Sequence, residues 1–144
     1  MINKINLDDL NRFNELGLMV NTNFINVYKL SELLKSQYDY LFGYYLDDLL
    51  VAFIHISKLY ETVDIVNIVV DSNYRRKGIA NKLIDYIVNY FDDVSNIMLE
   101  VNEHNISAIS LYKNNNFEII NKRNNYYGID DALIMKRVVE NERC

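Results

Sequence analysis

Residues 69–80 read VVDSNYRRKGIA, and this stretch decides how the middle of the chain folds. An apolar segment ends at Val70, a short polar turn follows, and from Gly78 the apolar residues recur at helical spacing. The pattern predicts a buried strand, a turn and an amphipathic helix. A helix that begins at this turn presents unpaired backbone N–H groups and a partial positive charge, and both suit a phosphate group.

Three consecutive cations, Arg75, Arg76 and Lys77, stand in this turn, although the formal net charge of the chain is -5. From the residues alone, the turn is either a solvated charged loop or a site for an anionic ligand. The order of strand, turn, glycine and helix favours the anion site, because Gly78 lets a ligand approach the backbone closely. The turn holds a single glycine, which excludes a Walker-type loop and a dinucleotide-binding fingerprint.

Hydrophobic patterning on both sides of the turn predicts alternating β and α segments. Before the turn we expect an apolar segment at 2–5 and a helix near 10–17, which Asp8 or Asp9 caps. A second helix is expected at 25–34, followed by strands at 39–46, 49–59 and 61–70. After the turn we expect a helix at 78–91, strands at 97–101, 117–125 and 131–139, and a helix at 105–114. The unit at 61–101 should pair its two strands in parallel, so the expected fold is of the α+β class with a mixed sheet.

The composition limits the class of protein. A chain of 144 residues with 50% hydrophobic and 24% charged residues predicts one globular domain over residues 1–144. The acidic balance argues against a nucleic-acid binder and favours basic ligands such as a cationic peptide. One cysteine, Cys144, rules out an internal disulfide, and with two ordinary histidines, His55 in a strand and His104 in a surface loop, we expect no metal. Without a signal peptide or a long apolar stretch, we expect a cytoplasmic protein and no membrane contact.

The basic turn resembles the acetyl-CoA-binding motif of the GCN5-related N-acetyltransferase (GNAT) family. The family pattern is Arg/Gln-x-x-Gly-x-Gly/Ala, and residues 75–80 read RRKGIA after a strand that ends in NIVV. The resemblance extends over residues 61–137, and its second half is carried by Leu99, Glu100, Val101, Asn105, Ala108, Leu111, Tyr112 and Phe117. Asn116 stands where the family usually has glycine, and asparagine tolerates the left-handed conformation that a helix end requires.

The resemblance implies a three-layer sandwich with a central mixed sheet of about seven strands, a splayed parallel pair of strands and about four helices. It also implies acetyl-CoA as the acetyl donor. A backbone N–H at Val70 is the candidate donor to the thioester carbonyl, and this requires the strand to diverge from its parallel neighbour at 97–101. The residues that the resemblance assigns to the cofactor are Ile68, Val69, Val70, Arg75, Arg76, Lys77, Gly78, Ile79, Ala80, Asn81 and Asn105.

Two residues acquire catalytic roles from the resemblance. By itself, Glu100 reads as a strand carboxylate that faces solvent, and Tyr112 reads as a core tyrosine on an apolar helix face. The family positions make Glu100 the general base, acting directly or through water, and Tyr112 the general acid for the departing thiolate. Burial of Glu100 would make it a stronger base. Acetyl transfer to an amine needs these two groups and support for the oxyanion.

The acceptor is indicated by the end of the chain. Asn125-Tyr126-Tyr127 followed by residues 131–135 resembles the branch of the family that acetylates the N-terminal alanine of a small-subunit ribosomal protein. Tyr126 and Tyr127 either line the peptide groove or only pack the last hairpin, and Asp64 or Asn67 could hold a water. The expected partner is a protein N-terminus bound by a monomer or weak dimer. The alternatives are an acetyltransferase for a small amine and a non-catalytic acetyl-CoA-binding module.

Overall fold

The computed structural model describes residues 1–139, with the side chain of Tyr127 outside the described part. Cys144 lies outside the described residues. The strands are β1 (Ile2–Lys4), β2 (Asp39–Leu46), β3 (Leu49–Leu59), β4 (Thr62–Val70), β5 (Asn96–Asn102), β6 (Glu118–Tyr127) and β7 (Asp130–Val138). The helices are α1 (Leu10–Leu18), α2 (Phe24–Val27), α3 (Leu30–Lys35), α4 (Ile79–Tyr90) and α5 (Ile106–Asn114).

The seven strands form one mixed sheet in the order β1-β2-β3-β4-β5-β7-β6. One face packs against α1, α2 and α3 through Phe13, Phe24 and Leu30, which meet Phe53 and Val69 of the sheet. Helices α4 and α5 belong to a second cluster that includes the alternate residues of β3, β4 and β5. Because the alternate residues of a strand point to opposite faces, the two clusters lie on opposite sides of the sheet. The expected three-layer sandwich is confirmed.

Strands β4 and β5 are the parallel pair, and they separate early. Their pairing is limited to Thr62 with Asn96, Val63 with Ile97 and Asp64 with Met98. Beyond Asp64, β4 continues to Val70 along β3 alone. The gap that opens between the two strands is called the wedge below. It confirms the splayed parallel pair and places the ends of both strands around an opening.

The hairpin expected at 39–59 is confirmed to the residue. Its turn residues Asp47 and Asp48 both have positive φ, at 49° and 67°. Two-residue hairpin turns require this backbone because it follows the right-handed twist of the paired strands. Asn116 after α5 also has a positive φ of 68°, as expected for an asparagine at a helix end.

The first helix differs from its prediction at both ends. Asp9 occupies the N-cap position of α1 but makes no side-chain cap hydrogen bond. The capping hydrogen bonds lie one turn earlier, at a 3-10 helix over Leu7–Asp9. There the Asn6 side chain accepts from the Asp8 N–H, and the Asp9 carboxylate accepts from the Asn6 N–H. Helix α1 also continues through Gly17 to Leu18. A Cβ on Gly17 would stand 2.1 Å from the ring of Phe24, so this glycine permits close packing and does not end the helix.

The single helix expected at 25–34 is wrong, because the segment forms two short helices. Tyr28 and Lys29 between them are extended, with ψ of 98° and 115°. The break lets the Tyr28 ring pack 4.8 Å from that of Phe24 and edge-on, at 5.7 Å, to His55. Tertiary contacts therefore override the local helical pattern here.

Candidate active site

The wedge opens into a cleft of about 1000 Å³, at the upper end of the range for ligand sites. The ends of β4 and β5, the start of α4 and one side of α5 form its walls. Most of the residues predicted for the site share this one cleft. They are Ile68, Val69, Val70, Arg75, Arg76, Gly78, Ile79, Ala80, Asn81, Glu100, Asn105 and Tyr112.

The wedge leaves backbone groups of β4 available. The Asp71 N–H donates to the Val51 carbonyl at 2.9 Å, so residues 71, 69 and 67 direct their N–H groups toward β3. The N–H groups of Ile68 and Val70 alternate with them and face the wedge, where β5 is no longer paired. This position suits the predicted contact of Val70 with a thioester carbonyl oxygen.

The basic turn is shaped by two left-handed residues, Arg76 at φ 65° and Gly78 at φ 74°. A Cβ on Gly78 would meet nothing within 4 Å among the described atoms, so the space above it is open to the cleft. The Arg75 Nε donates to the Val70 carbonyl at 3.2 Å, which ties the turn to the end of β4. The turn thus combines an open glycine with a fixed backbone, as an anion site requires.

Helix α4 begins directly behind this turn. Its first intrahelical bond runs from the Lys82 N–H to the Gly78 carbonyl at 3.1 Å. The N–H groups of Ile79, Ala80 and Asn81 therefore precede the helical ladder and lie on the cleft wall. They give this part of the cleft wall a partial positive charge.

Lys77 behaves differently from its two arginine neighbours. It does not belong to the cleft wall, and its Nζ lies 5.6 Å from the centroid of the Tyr74 ring. Asn105 fulfils its expected capping role, since its Oδ1 accepts from the Ala108 N–H at 3.2 Å. It also lies on the cleft wall, so capping and a ligand contact are compatible.

The carboxylate of Glu100 is partly exposed, as expected of a strand carboxylate that faces solvent, and the burial considered for a stronger base is not observed. Its side chain is 30% exposed, and its Oε1 pairs with the Arg123 Nη2 at 3.1 Å. Asp64 stands at the point where β4 and β5 separate, and desolvation followed by repulsion from Glu100 raises the pKa of Asp64. Asn67 adds a buried Nδ2 without a hydrogen-bond partner among the described residues. Glu100 therefore has one further carboxylate, Asp64, within electrostatic range, and the cleft wall holds the amide donor of Asn67.

Tyr112 reaches the cleft from α5. Its side chain is 7% exposed and packs against Phe117, with ring centroids 5.7 Å apart. Burial raises the pKa of Tyr112 to about 12. The phenol therefore keeps its proton throughout the neutral and mildly alkaline range and is available as a donor.

Residues 11–117 match the model of the acetyltransferase (GNAT) family. The chain belongs to this family. The GNAT assignment accounts for the wedge and for the glycine turn that opens α4.

Relatives of this GNAT chain include the ribosomal protein bS18-alanine N-acetyltransferase of Salmonella typhimurium, 32% identical over 95 residues. The match spans 62% of this chain and 64% of that relative, so less than two thirds of its length is covered. The crystal structure of the Escherichia coli ribosomal-protein-S18-alanine N-acetyltransferase superposes with a TM-score of 0.84 at 21% identity, covering 97% of this chain and 94% of that one. The crystal structure of Arabidopsis thaliana NAA60 in complex with a bisubstrate analogue superposes with a TM-score of 0.80 at 20% identity, covering 99% of this chain and 99% of that one.

Tyr126 and Tyr127 lie on the last hairpin of the GNAT fold, at the end of β6. Tyr126 is 51% exposed, and the guanidinium of Arg123 lies 5.6 Å from its ring centroid. Tyr126 does not belong to the cleft wall, and the side chain of Tyr127 lies outside the described part. Whether the pair serves the acceptor stays a prediction.

Sequence reasoning missed several residues at this GNAT site, among them Met19, Val20 and Arg123. Met19 and Val20, in the loop after α1, line the cleft and are nearly half exposed. Only their apolar character in a polar loop could have signalled this. Arg123 was missed because its partner, Glu100, is brought to it by strand pairing across β7.

His55 and His104 occupy the positions expected of them. His55 is buried in β3, where its Nε2 lies 2.6 Å from the Asp39 Oδ1, and His104 lies in an exposed loop beside Asp130. Burial lowers the pKa of His55, against the opposing effect of Asp39. Within residues 1–139, no group of three or more potential ligands is placed to hold a metal ion. In the same part of the chain, no helix is long and apolar enough to span a membrane.

Proposed function

We propose that this chain is an acetyl-CoA-dependent N-acetyltransferase that acts on the N-terminal α-amine of a protein. The substrate we favour is the N-terminal alanine of a small-subunit ribosomal protein. The observation that carries the proposal is the wedge, which joins an anion-binding turn at one end to Glu100 and Tyr112 at the other. The names of the curated relatives support the choice of acceptor.

The cleft fits acetyl-CoA in the charge and shape of its walls. The open glycine and the first N–H groups of α4 suit the pyrophosphate, and Arg75 and Arg76 add positive charge. The backbone N–H groups of β4 that face the wedge suit the polar pantetheine arm. When bound, acetyl-CoA supplies an acetyl group activated as a thioester.

The residues of the chain supply the remaining parts of the reaction. The amine nitrogen attacks the carbonyl carbon, a C–N bond forms and the C–S bond breaks. The Val70 N–H stabilises the negative charge that develops on the carbonyl oxygen. Glu100 takes the proton of the amine, directly or through a water that Asp64 or Asn67 holds. Tyr112 donates its proton toward the departing sulfur.

An α-amine suits this base better than a lysine side chain does. The α-amine of a peptide has a pKa of about 8, whereas lysine has one of about 10.4, so a chain terminus is deprotonated more easily. The carboxylate of Glu100 also reaches solvent, so an acceptor can approach it from outside. A net charge of -5 attracts the cationic N-terminus. We place the reaction in the cytoplasm.

A panel of acceptors tests the proposal. Peptides that begin with Ala, Ser, Gly or Met, a blocked peptide with a free lysine side chain, and a polyamine are each incubated with acetyl-CoA, and CoA release is followed. We expect the highest kcat/KM for the alanine peptide. A preference for the polyamine would instead support a small-amine acetyltransferase. Acetyl-CoA binding by calorimetry without turnover of any acceptor would indicate a non-catalytic binding module.

A further inference from the structure

Arg123 makes the most direct contact with the proposed base. It lies on β6, and its Nη2 is 3.1 Å from the Oε1 of Glu100. Its guanidinium also lies 5.6 Å from the centroid of the Tyr126 ring, and just over half of its side chain is exposed. A cation therefore already stands beside the carboxylate to which a cationic acceptor would bind.

The strand register shows that Arg123 and Glu100 share one face of the sheet. Glu100 pairs with Ile134 of β7, and Arg123 pairs with Ala132, two residues away on the same strand. Residues two apart in a strand point to the same side. Asp64 is on this side as well, since it pairs with Met98, two residues before Glu100. Helices α1 to α3 cover this face over β2, β3 and β4, so the acceptor reaches Glu100 over β5 to β7.

We propose that Arg123 pairs with Glu100 while no acceptor is bound and gives way to the ammonium group of an incoming acceptor. The exchange selects acceptors that arrive as cations. This inference rests on the function proposed above. A protonated N-terminus replaces one positive charge by another, so the charge beside Glu100 stays the same. Glu100 then accepts a proton from the ammonium, which breaks an N–H bond and forms an O–H bond, and passes that proton to solvent. The neutral amine that remains attacks the thioester, and Glu100 takes the second proton that the nitrogen loses.

The contacts of Arg123 favour such an exchange. When the guanidinium leaves Glu100, it keeps the Tyr126 ring as a partner for a cation–π contact. A neutral acceptor offers Glu100 no replacement for the lost cation, so it competes poorly with Arg123. Because partly exposed ion pairs are weak, the expected competition is small, roughly two- to fivefold in apparent affinity.

The matched variants are Arg123→Gln and Lys122→Gln. Lys122 is the neighbour of Arg123 on β6, but its Nζ pairs with Asp131 at 3.0 Å and Glu103 at 3.4 Å. Each variant removes one positive charge, so long-range attraction of the peptide changes equally. With the alanine peptide as acceptor, we expect Arg123→Gln to lower KM roughly two- to fivefold relative to Lys122→Gln. Arg123→Lys keeps the cation and should restore a KM near that of the wild type.

Equal KM values in the two glutamine variants, or a higher KM in Arg123→Gln, would overturn the proposal. A second measurement does not depend on turnover. The Arg123 Nε–H signal is followed by NMR in the wild type while alanine amide or N-acetylalanine amide is added. We expect the signal to move with the cationic probe only, and an equal response to both, or to neither, contradicts the exchange. Failure of all peptides to react would reject the proposed function and leave this NMR test to decide the role of Arg123.

Discussion

Glu100 and Tyr112 reach one cleft from two different elements, β5 and α5. Their surroundings differ. The carboxylate is partly exposed beside a cation, whereas the phenol is buried and its pKa is raised to about 12. Burial disfavours the phenolate, so Tyr112 carries its proton at neutral pH when the thiolate forms.

We expect Glu100→Gln and Tyr112→Phe each to lower kcat by roughly 10²- to 10⁴-fold, the usual contribution of a general base or acid. The measurement is steady-state CoA release with the alanine peptide. Tyr60→Phe is the control, because Tyr60 is 83% exposed in a turn outside the cleft wall and should leave kcat unchanged. Wild-type kcat in both active-site variants would refute the two assignments.

At the level of the secondary-structure elements, the turn between β4 and α4 carries the predicted anion site. Two left-handed residues bend the chain so that the backbone of Gly78 and the start of α4 lie open to the cleft. The three cations of the turn are not equivalent as a result. Arg75 and Arg76 lie on the cleft wall, whereas Lys77 packs beside the ring of Tyr74.

Because of this difference, we expect charge reversal at Arg76 and at Lys77 to affect acetyl-CoA binding unequally. Arg76→Glu should weaken acetyl-CoA binding roughly ten- to hundredfold, as expected for the loss of hydrogen bonds to a charged ligand. Lys77→Glu should weaken it less than about threefold, because only screened long-range repulsion is added. Calorimetric titration with acetyl-CoA measures both. Losses of the same size would mean that the turn acts only through its total charge.

At the scale of the whole molecule, one ionic contact joins the N-terminal helices to the strand end that enters the site. Arg12 of α1 bonds through its Nη2 to Asp71 and through its Nε, at 2.7 Å, to the Leu50 carbonyl. Asp71 is buried and also accepts from the Asn73 N–H at 2.9 Å. Through these contacts, α1 and the start of the basic turn are both held at the end of β4, next to the start of β3.

The stability of the fold should depend on this contact in a pH-dependent way. The Asn73 N–H and then Arg12 lower the pKa of Asp71 in the folded chain. In the unfolded chain the pKa of an aspartate is about 3.9, and above that pH the stabilisation is fully present. It is lost as the pH falls through the lower pKa that Asp71 has in the folded chain. At pH 7, Asp71→Asn should lower the free energy of unfolding by roughly 1.5–3 kcal/mol, measured by urea denaturation.

The difference between Asp71→Asn and the wild type should shrink as the pH approaches 2, because protonation removes the same charge from the wild type. Asp47→Asn is the control, since Asp47 lies in an exposed turn with a positive φ that asparagine also adopts. A constant difference between pH 7 and pH 2 would show that the charge of Asp71 is not what stabilises the fold.

Local signals in the sequence were sufficient for the long elements and the ligand turn. The alternation in 39–59, the helical spacing after Gly78 and the basic turn each depend on residues within a few positions of one another. For the same reason, most of the cofactor-side residues could be named in advance. The segment at 25–34 failed, because the packing of Tyr28 on Phe24 and His55 decides where its helices end.

The order of the elements, the turn that opens α4 and the residue types available for acyl transfer can be predicted from the amino-acid sequence, because they follow from local periodicity and a short motif. Only the folded structure shows that Glu100 is paired with Arg123, that Lys77 lies outside the cleft wall and that Met19 and Val20 line the cleft. Those facts depend on strand register and on which loops approach the wedge. Contacts between residues far apart in the chain leave no periodic trace in the sequence.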